Sequence, residues 1–294
     1  MPRAAVRRAR RRRPGEPAMT DTSAAPTPPP TPPPPAGKSP APRWRTLLYI
    51  LIPIVGALLL IGAFVAALWG RSGPVDQSAD LAAGTSLSVE LPNAVIILEP
   101  STDDEVHVRM TGSYFGTEPT LSTRTDGGVT EVRGGCRAQF FSRCSVTVTV
   151  QLPTALPVTA AGENGRIAAS GLTGRVTLTT TNGGIETDGT VGPVDLQSTN
   201  GDIRVTDAVS KSVAAATTNG SVSLQFVDAP ESVEAGSTNG EIIVRVPVDG
   251  VTYRVTAQTT NGTVTDDTVP TDSTSRRSIT ARTTNGSITV EGTR

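Results

Sequence analysis

The chain has 294 residues and a formal net charge of −1, but the charge is unevenly placed along it. Residues 1–70 carry ten basic side chains against Glu16 and Asp21, a net of +8, whereas from Arg71 onward 16 basic residues face 25 acidic ones, a net of −9. A long acidic half speaks against nucleic acid as a partner, because such binding needs a basic face to displace counterions.

Residues 1–18 are Arg-rich, and Met19 is the expected start of the functional chain; a basic arm is the other reading. Ten prolines fall between residues 26 and 42. Proline fixes φ and lacks an amide donor, so residues 1–45 read as a disordered, basic, Pro-rich tail. Residues 46–69 then run for 24 residues without a charge. As a helix they span about 36 Å, enough for a hydrocarbon core of about 30 Å. That exceeds the roughly 7–15 apolar residues of a signal peptide, so a retained single-pass anchor is expected. Lys38, Arg43 and Arg45 precede it and only Arg71 follows closely. The positive-inside rule then puts the N-terminus in the cytoplasm and the C-terminal domain outside the cell membrane.

Residues 70–84 read as a linker and residues 85–292 as one extracytoplasmic domain, with regular coils over 156–292. Cys136 and Cys144 are the only cysteines, with seven residues between them. On the oxidising side of a membrane a disulfide is expected, contributing about 2–3 kcal/mol in the chain-entropy model. Two cysteines without a nearby histidine make a poor zinc site. The single histidine, His107, stands in the alternating run EVHVRM and reads as a strand residue rather than a ligand or catalyst.

The domain is organised by a repeat. Asn-Gly recurs at Asn164, Asn182, Asn200, Asn219, Asn239, Asn261 and Asn285, at separations of 18, 18, 19, 20, 22 and 24 residues. Val or Ile stands six residues before each Asn and three residues after it. Before the Asn the inward positions are even offsets and after it odd ones, the phase slip that a corner between two strands needs. All length variation falls in one connector per unit, which grows as 6, 6, 7, 8, 10 and 12 residues. A meander of hairpins would also use Asn-Gly. A constant corner with one elastic loop points instead to a solenoid. The expected fold is an all-β, single-stranded parallel β-helix in which the Asn side chains form a corner ladder and Gly supplies a positive φ. Residues 84–158 are expected to begin the column less regularly, with Asn93-Ala94 where an Asn-Gly would stand.

The run of Thr-Asn-Gly coils behind one apolar helix, entered through Leu152-Pro153, resembles the bacterial putative-adhesin β-solenoid family, a domain of unknown function. The resemblance covers about residues 85–292. It implies an architecture and carries over no functional residues.

Polysaccharide-active β-helix enzymes need carboxylates converging on one face of neighbouring coils. The acidic clusters here are Asp103-Asp104-Glu105 and Asp266-Asp267, both in expected loops, and no nucleophile-elbow, zinc or phosphate-loop motif occurs. A non-catalytic, adhesin-like or envelope-binding module without cofactor or metal is therefore expected. The alternatives are an accessory of an envelope signalling system acting through the Pro-rich tail and, more weakly, a polysaccharide-active enzyme. Phe140 and Phe141 in the disulfide loop and Tyr114 and Phe115 in another insertion read either as contact residues or as buried caps over the column's end. Expected partners are the membrane and an envelope protein or polysaccharide. Ile288 and Val290 lie almost at the C-terminus and are expected to leave the last coil uncovered, which reads either as a site of end-to-end self-association or as a short, frayed and charged end.

Overall fold

The computed structural model describes residues 44–69, 72–137 and 143–294. The apolar segment is one helix, α1 (Trp44–Trp69), with Pro53 inside it. Its stretch Leu47–Val65 is long and apolar enough to cross a membrane, and none of it is buried against protein.

The rest is built from strands. Seven precede the repeats: β1 (Ser72–Ala82), β2 (Ser86–Glu90), β3 (Val95–Pro100), β4 (Glu105–Phe115), β5 (Thr120–Asp126), β6 (Val129–Gly135) and β7 (Arg143–Leu152). Each Asn-Gly repeat then supplies two strands that meet at its corner. They are β8 (Val158–Asn164) and β9 (Ile167–Ser170), β10 (Val176–Asn182) and β11 (Ile185–Asp188), β12 (Val194–Asn200) and β13 (Ile203–Ala208), and β14 (Ser212–Asn219) and β15 (Val222–Phe226). The last three are β16 (Ser232–Asn239) and β17 (Ile242–Pro247), β18 (Arg254–Asn261) and β19 (Val264–Thr265), and β20 (Ser278–Asn285) and β21 (Ile288–Thr293).

Strands before the corner stack into one sheet of 10 described strands, and those after it into another of 11. Every pairing among the repeats is parallel. The inward files are Val158, Val176, Val194, Val213, Val233 and Ile279 on one sheet, and Ile167, Ile185, Ile203, Val222, Ile242 and Ile288 on the other, all buried. Each contributes about 1.5–3 kcal/mol relative to exposure, so the coil interior is the main source of stability.

Three ladders hold each corner. The Asn side chains chain together from Asn164 Nδ2 on Asn93 Oδ1 (2.8 Å) through Asn182, Asn200, Asn219 and Asn239. Two residues before every repeat Asn but Asn164, where Gly162 stands, a Ser or Thr hydroxyl donates to the carbonyl of the adjacent coil's glycine, as Ser198 does to Gly183 (3.0 Å) and Thr217 to Gly201 (2.9 Å). The corner glycines stack so closely that a Cβ on Gly201 would overlap the carbonyl oxygen of Gly183, and one on Gly220 that of Gly201. This corrects the expected reason for glycine at four of the seven corners: Gly183, Gly201, Gly220 and Gly240 are not among the residues with positive φ, and close backbone approach is what excludes a side chain there. Gly165, Gly262 and Gly286 do have a positive φ, as expected, and meet the same close approach.

Three further expectations are corrected. The span 70–84 is no plain linker, since β1 occupies Ser72–Ala82 and pairs antiparallel with β4 over its whole length. Chain order is not stacking order at either end. The β2–β3 coil lies directly on the first repeat, and β6 and β7 stack outside it. At the far end the seventh repeat stacks on the fifth, and the sixth lies outermost. The connectors of ten and twelve residues on either side of the sixth repeat give the chain the length to step over one coil spacing of about 4.8 Å and return. The last coil in sequence is therefore covered, and the open edge belongs to β18.

Candidate binding surfaces

The outward face of the 10-stranded sheet carries a trough across β12, β14, β16 and β20. Ala214, Ala216 and Gly236 form its floor because these outward positions hold almost no side chain. Asp195 and Gln197 stand on one side and Thr280 and Arg282 on the other, with Glu234 between, enclosing about 400 Å³. A depression with both charges and amide and hydroxyl groups on its rim suits an extended, polar chain.

The column ends differ. At the β18 end, Val255 and Ala257 are only half-buried where their counterparts Ile279 and Ala281 are fully buried. Val264 is 41% exposed. The Asn ladder closes there with Asn285 on Asn239 and Asn261 on Asn285, both at 2.8 Å. At the other end the ladder begins at the disulfide: Asn93 Nδ2 donates to the carbonyl of Cys136 (3.0 Å). Cys136 and Cys144 are bonded, with Cα atoms 5.7 Å apart, and tie the β6–β7 connection.

The same end carries a charged cluster that sequence reasoning passed over. His107 on β4 faces Asp80 on β1 through Nδ1 (2.7 Å) and Asp103 through Nε2 (3.0 Å). Asp103 is held down at about 2 by the Ser101 hydroxyl, then by the Glu105 backbone N–H and His107. His107 is raised above its ordinary value by its contacts with Asp80 and Asp103. Beside them Arg109 donates twice to Asp76, which lowers the carboxyl. The β1–β4 register, which sets Asp80 opposite His107, is what assembles the cluster. No local sequence signal marks it.

Of the expected contact residues, Tyr114 and Phe115 end strand β4 rather than forming an insertion, and both are half-buried. Tyr114 packs against the core and lies beside Gly73. Phe140 and Phe141 lie outside the described residues. The two acidic clusters are not brought together: residues 103–105 adjoin β4, near one edge of the 11-stranded sheet, and residues 266–267 follow β19 at the opposite edge. Asp103 is kept ionised by its hydrogen bonds, which unfits it as a general acid.

These features define a β-solenoid of two mainly parallel sheets with a hydrogen-bonded Asn-Gly corner. Residues 154–291 match the model of the Toastrack DUF4097 family. No curated protein matches the sequence. Among solved structures, a putative cell adhesion protein from Clostridium sporogenes is 11% identical, with a TM-score of 0.37 over 75% of this chain and 100% of that one. A putative adhesin from Bacteroides fragilis is 11% identical, with a TM-score of 0.40 over 74% of this chain and 97% of that one. A putative lipid binding protein from Parabacteroides distasonis is 13% identical, with a TM-score of 0.29 over 74% and 96%. Likenesses this distant carry no functional argument.

Proposed function

We propose that the chain is a membrane-anchored, non-catalytic, adhesin-like module whose solenoid faces the outside of the cell and binds an extended segment of an envelope protein. The trough over Ala214, Ala216 and Gly236 carries the reading, because a repeat that otherwise presents Thr, Gln and charged side chains is hollowed there across four neighbouring strands. The aromatic side chains within the repeats, Phe226 and Tyr253, are buried and offer no platform for stacking sugars, which favours a polypeptide over a polysaccharide. The apolar helix α1 supports the anchor. Phe140 and Phe141 remain in this reading as a second contact beside the disulfide. End-to-end self-association, in the same reading, runs through the β18 edge, where residues 255–261 carry no charge and no proline.

The test is capture by the intact chain in detergent micelles, offered solubilised envelope proteins in one arm and purified cell-wall polysaccharide in the other. Saturable capture of one protein is expected. Ala216→Trp, which fills the trough, is expected to weaken it about tenfold or more, some 1.4 kcal/mol, with an unchanged melting temperature. Capture of polysaccharide alone, or capture indifferent to Ala216→Trp, would contradict the assignment.

A further inference from the structure

Both ring nitrogens of His107 meet carboxylate oxygens. Nδ1 lies 2.7 Å from Asp80 Oδ1, and Nε2 lies 3.0 and 3.1 Å from the two oxygens of Asp103. A neutral imidazole has one N–H and one lone pair, whereas an ionised carboxylate only accepts. The two contacts are therefore both hydrogen bonds only when the ring is an imidazolium. Once the ring loses a proton, one of them becomes two lone pairs facing each other. Asp103 does not supply the missing proton, because the Ser101 hydroxyl (2.7 Å) and the Glu105 N–H (3.1 Å) both donate to its Oδ1 and hold the carboxyl ionised.

We propose that His107 is a pH-sensitive latch: protonated, it fastens β1 and the loop of residues 101–104 to strand β4, and neutral, it releases one of the two. The fold makes both clients loose enough for this to matter. β1 is an edge strand whose one paired strand among the described residues is β4, with Thr130 Oγ1 also donating to the Ala82 carbonyl (3.3 Å), and of its 11 residues only Val75 is buried. Residues 102–104 are exposed. The connection from α1 enters the domain through β1, so the latch acts on the strand that follows the apolar helix in the chain.

The charges around the ring are mostly negative. On β1 they are Asp80 and Asp76, the latter paired with Arg109. On β4, Glu105 and Arg109 share the outward face with His107, and the loop adds Asp103 and Asp104. Across from His107 on β7 stands Gln151, neutral, and beyond it on β3 stands Glu99. This surplus and the two direct contacts favour the imidazolium and raise the His107 pKa.

The raised value fixes the sign. The histidine's contribution is complete below about 6.5, the unfolded value, and is lost as pH rises through the folded one. Asp103 works in the other direction, its contribution being lost only as pH falls through about 2. The latch is therefore closed in mildly acid surroundings and opens towards the alkaline side.

His107 is the chain's only histidine, so its ring signals in the intact, micelle-bound protein are unambiguous. NMR titration is expected to give a pKa above the free value, lowered by Asp80→Asn and by Asp103→Asn separately. Amide exchange, compared with the His107→Asn protein at each pH to remove intrinsic rates, is expected to speed several-fold over residues 79–82 or 101–104 as wild type passes that pKa. His107→Arg, charged throughout, should show no such step. A pKa at or below the free value would overturn the latch. So would protection of both segments that follows the same pH course in wild type and His107→Asn.

Discussion

The middle coils and the outermost coil obey one sequence pattern and have different physical lives. In the β12–β13 coil, Val194, Leu196 and Ile203 are buried, and every rung of the corner has a neighbour on both sides. In the β18–β19 coil the equivalent Val255 and Ala257 are half-buried, Val264 is exposed, and among the described residues one side has no coil. A repeat unit thus has no fixed stability of its own. Its contribution is set by how many faces are covered, which is the nearest-neighbour logic of solenoids.

Paired substitutions sharpen this contrast. Leu196→Ala in the middle leaves a cavity between two covering coils and should cost about 2–5 kcal/mol in chemical denaturation. Val255→Ala at the end removes contacts already half in water and should cost less than about 1 kcal/mol. Equal costs would dissolve the distinction. Gly201→Ala puts a methyl against the Gly183 carbonyl and should cost about 3 kcal/mol, lowering the melting temperature of the whole column. Gly262→Ala creates the same overlap with the Gly286 carbonyl, but only β18 and β19 need move to relieve it. It should raise amide exchange in those two strands and leave the main melting transition in place.

A smaller effect of opposite sign is expected inside β11. Thr187 occupies an inward position that Val205, Leu224 and Val244 fill in the following coils. Its hydroxyl is the one buried side-chain polar atom among the described residues without a hydrogen-bond partner. Thr187→Val should stabilise by about 1 kcal/mol, read as a higher denaturation midpoint; a loss would mean that a hidden partner satisfies the hydroxyl.

Much of the repeat was legible because it is local. The Val and Ile positions, the corner and the phase slip follow from side-chain alternation within twelve residues. Cys136 and Cys144 could be paired because no other cysteine competes. What escaped depends on which coil touches which. The Ser198 and Thr217 hydroxyls sit in positions that read as ordinary strand residues, and only the stacked neighbour shows that each holds a glycine carbonyl. β1 escapes a sequence reading because SGPVDQSADLA contains Gly, Pro and four polar outward side chains (Ser72, Asp76, Ser78 and Asp80) and buries little. It is a strand because β4 offers it an edge. His107 looked isolated because Asp80 is 27 residues away in sequence and arrives only through that pairing. The inverted stacking did leave traces: the two longest connectors flank the sixth repeat, and that repeat ends in Asp266 where the others bring an uncharged residue inward. A carboxylate is tolerable there because the coil is outermost.

The stacking order is the claim on which the contrast between middle and end rests, and cysteine pairs test it directly. Glu234, Thr280 and Thr256 all point outward at one register position, with Glu234 paired to Thr280 and Thr280 paired to Thr256. Oxidation of Glu234→Cys with Thr280→Cys should give a cross-link, since paired Cα atoms on adjacent strands lie within the roughly 4.4–6.8 Å that a disulfide requires. Glu234→Cys with Thr256→Cys, two coil spacings apart, should give none. Efficient bonding of the second pair and not the first would mean that the repeats stack in chain order, and that the seventh rather than the sixth is the exposed end.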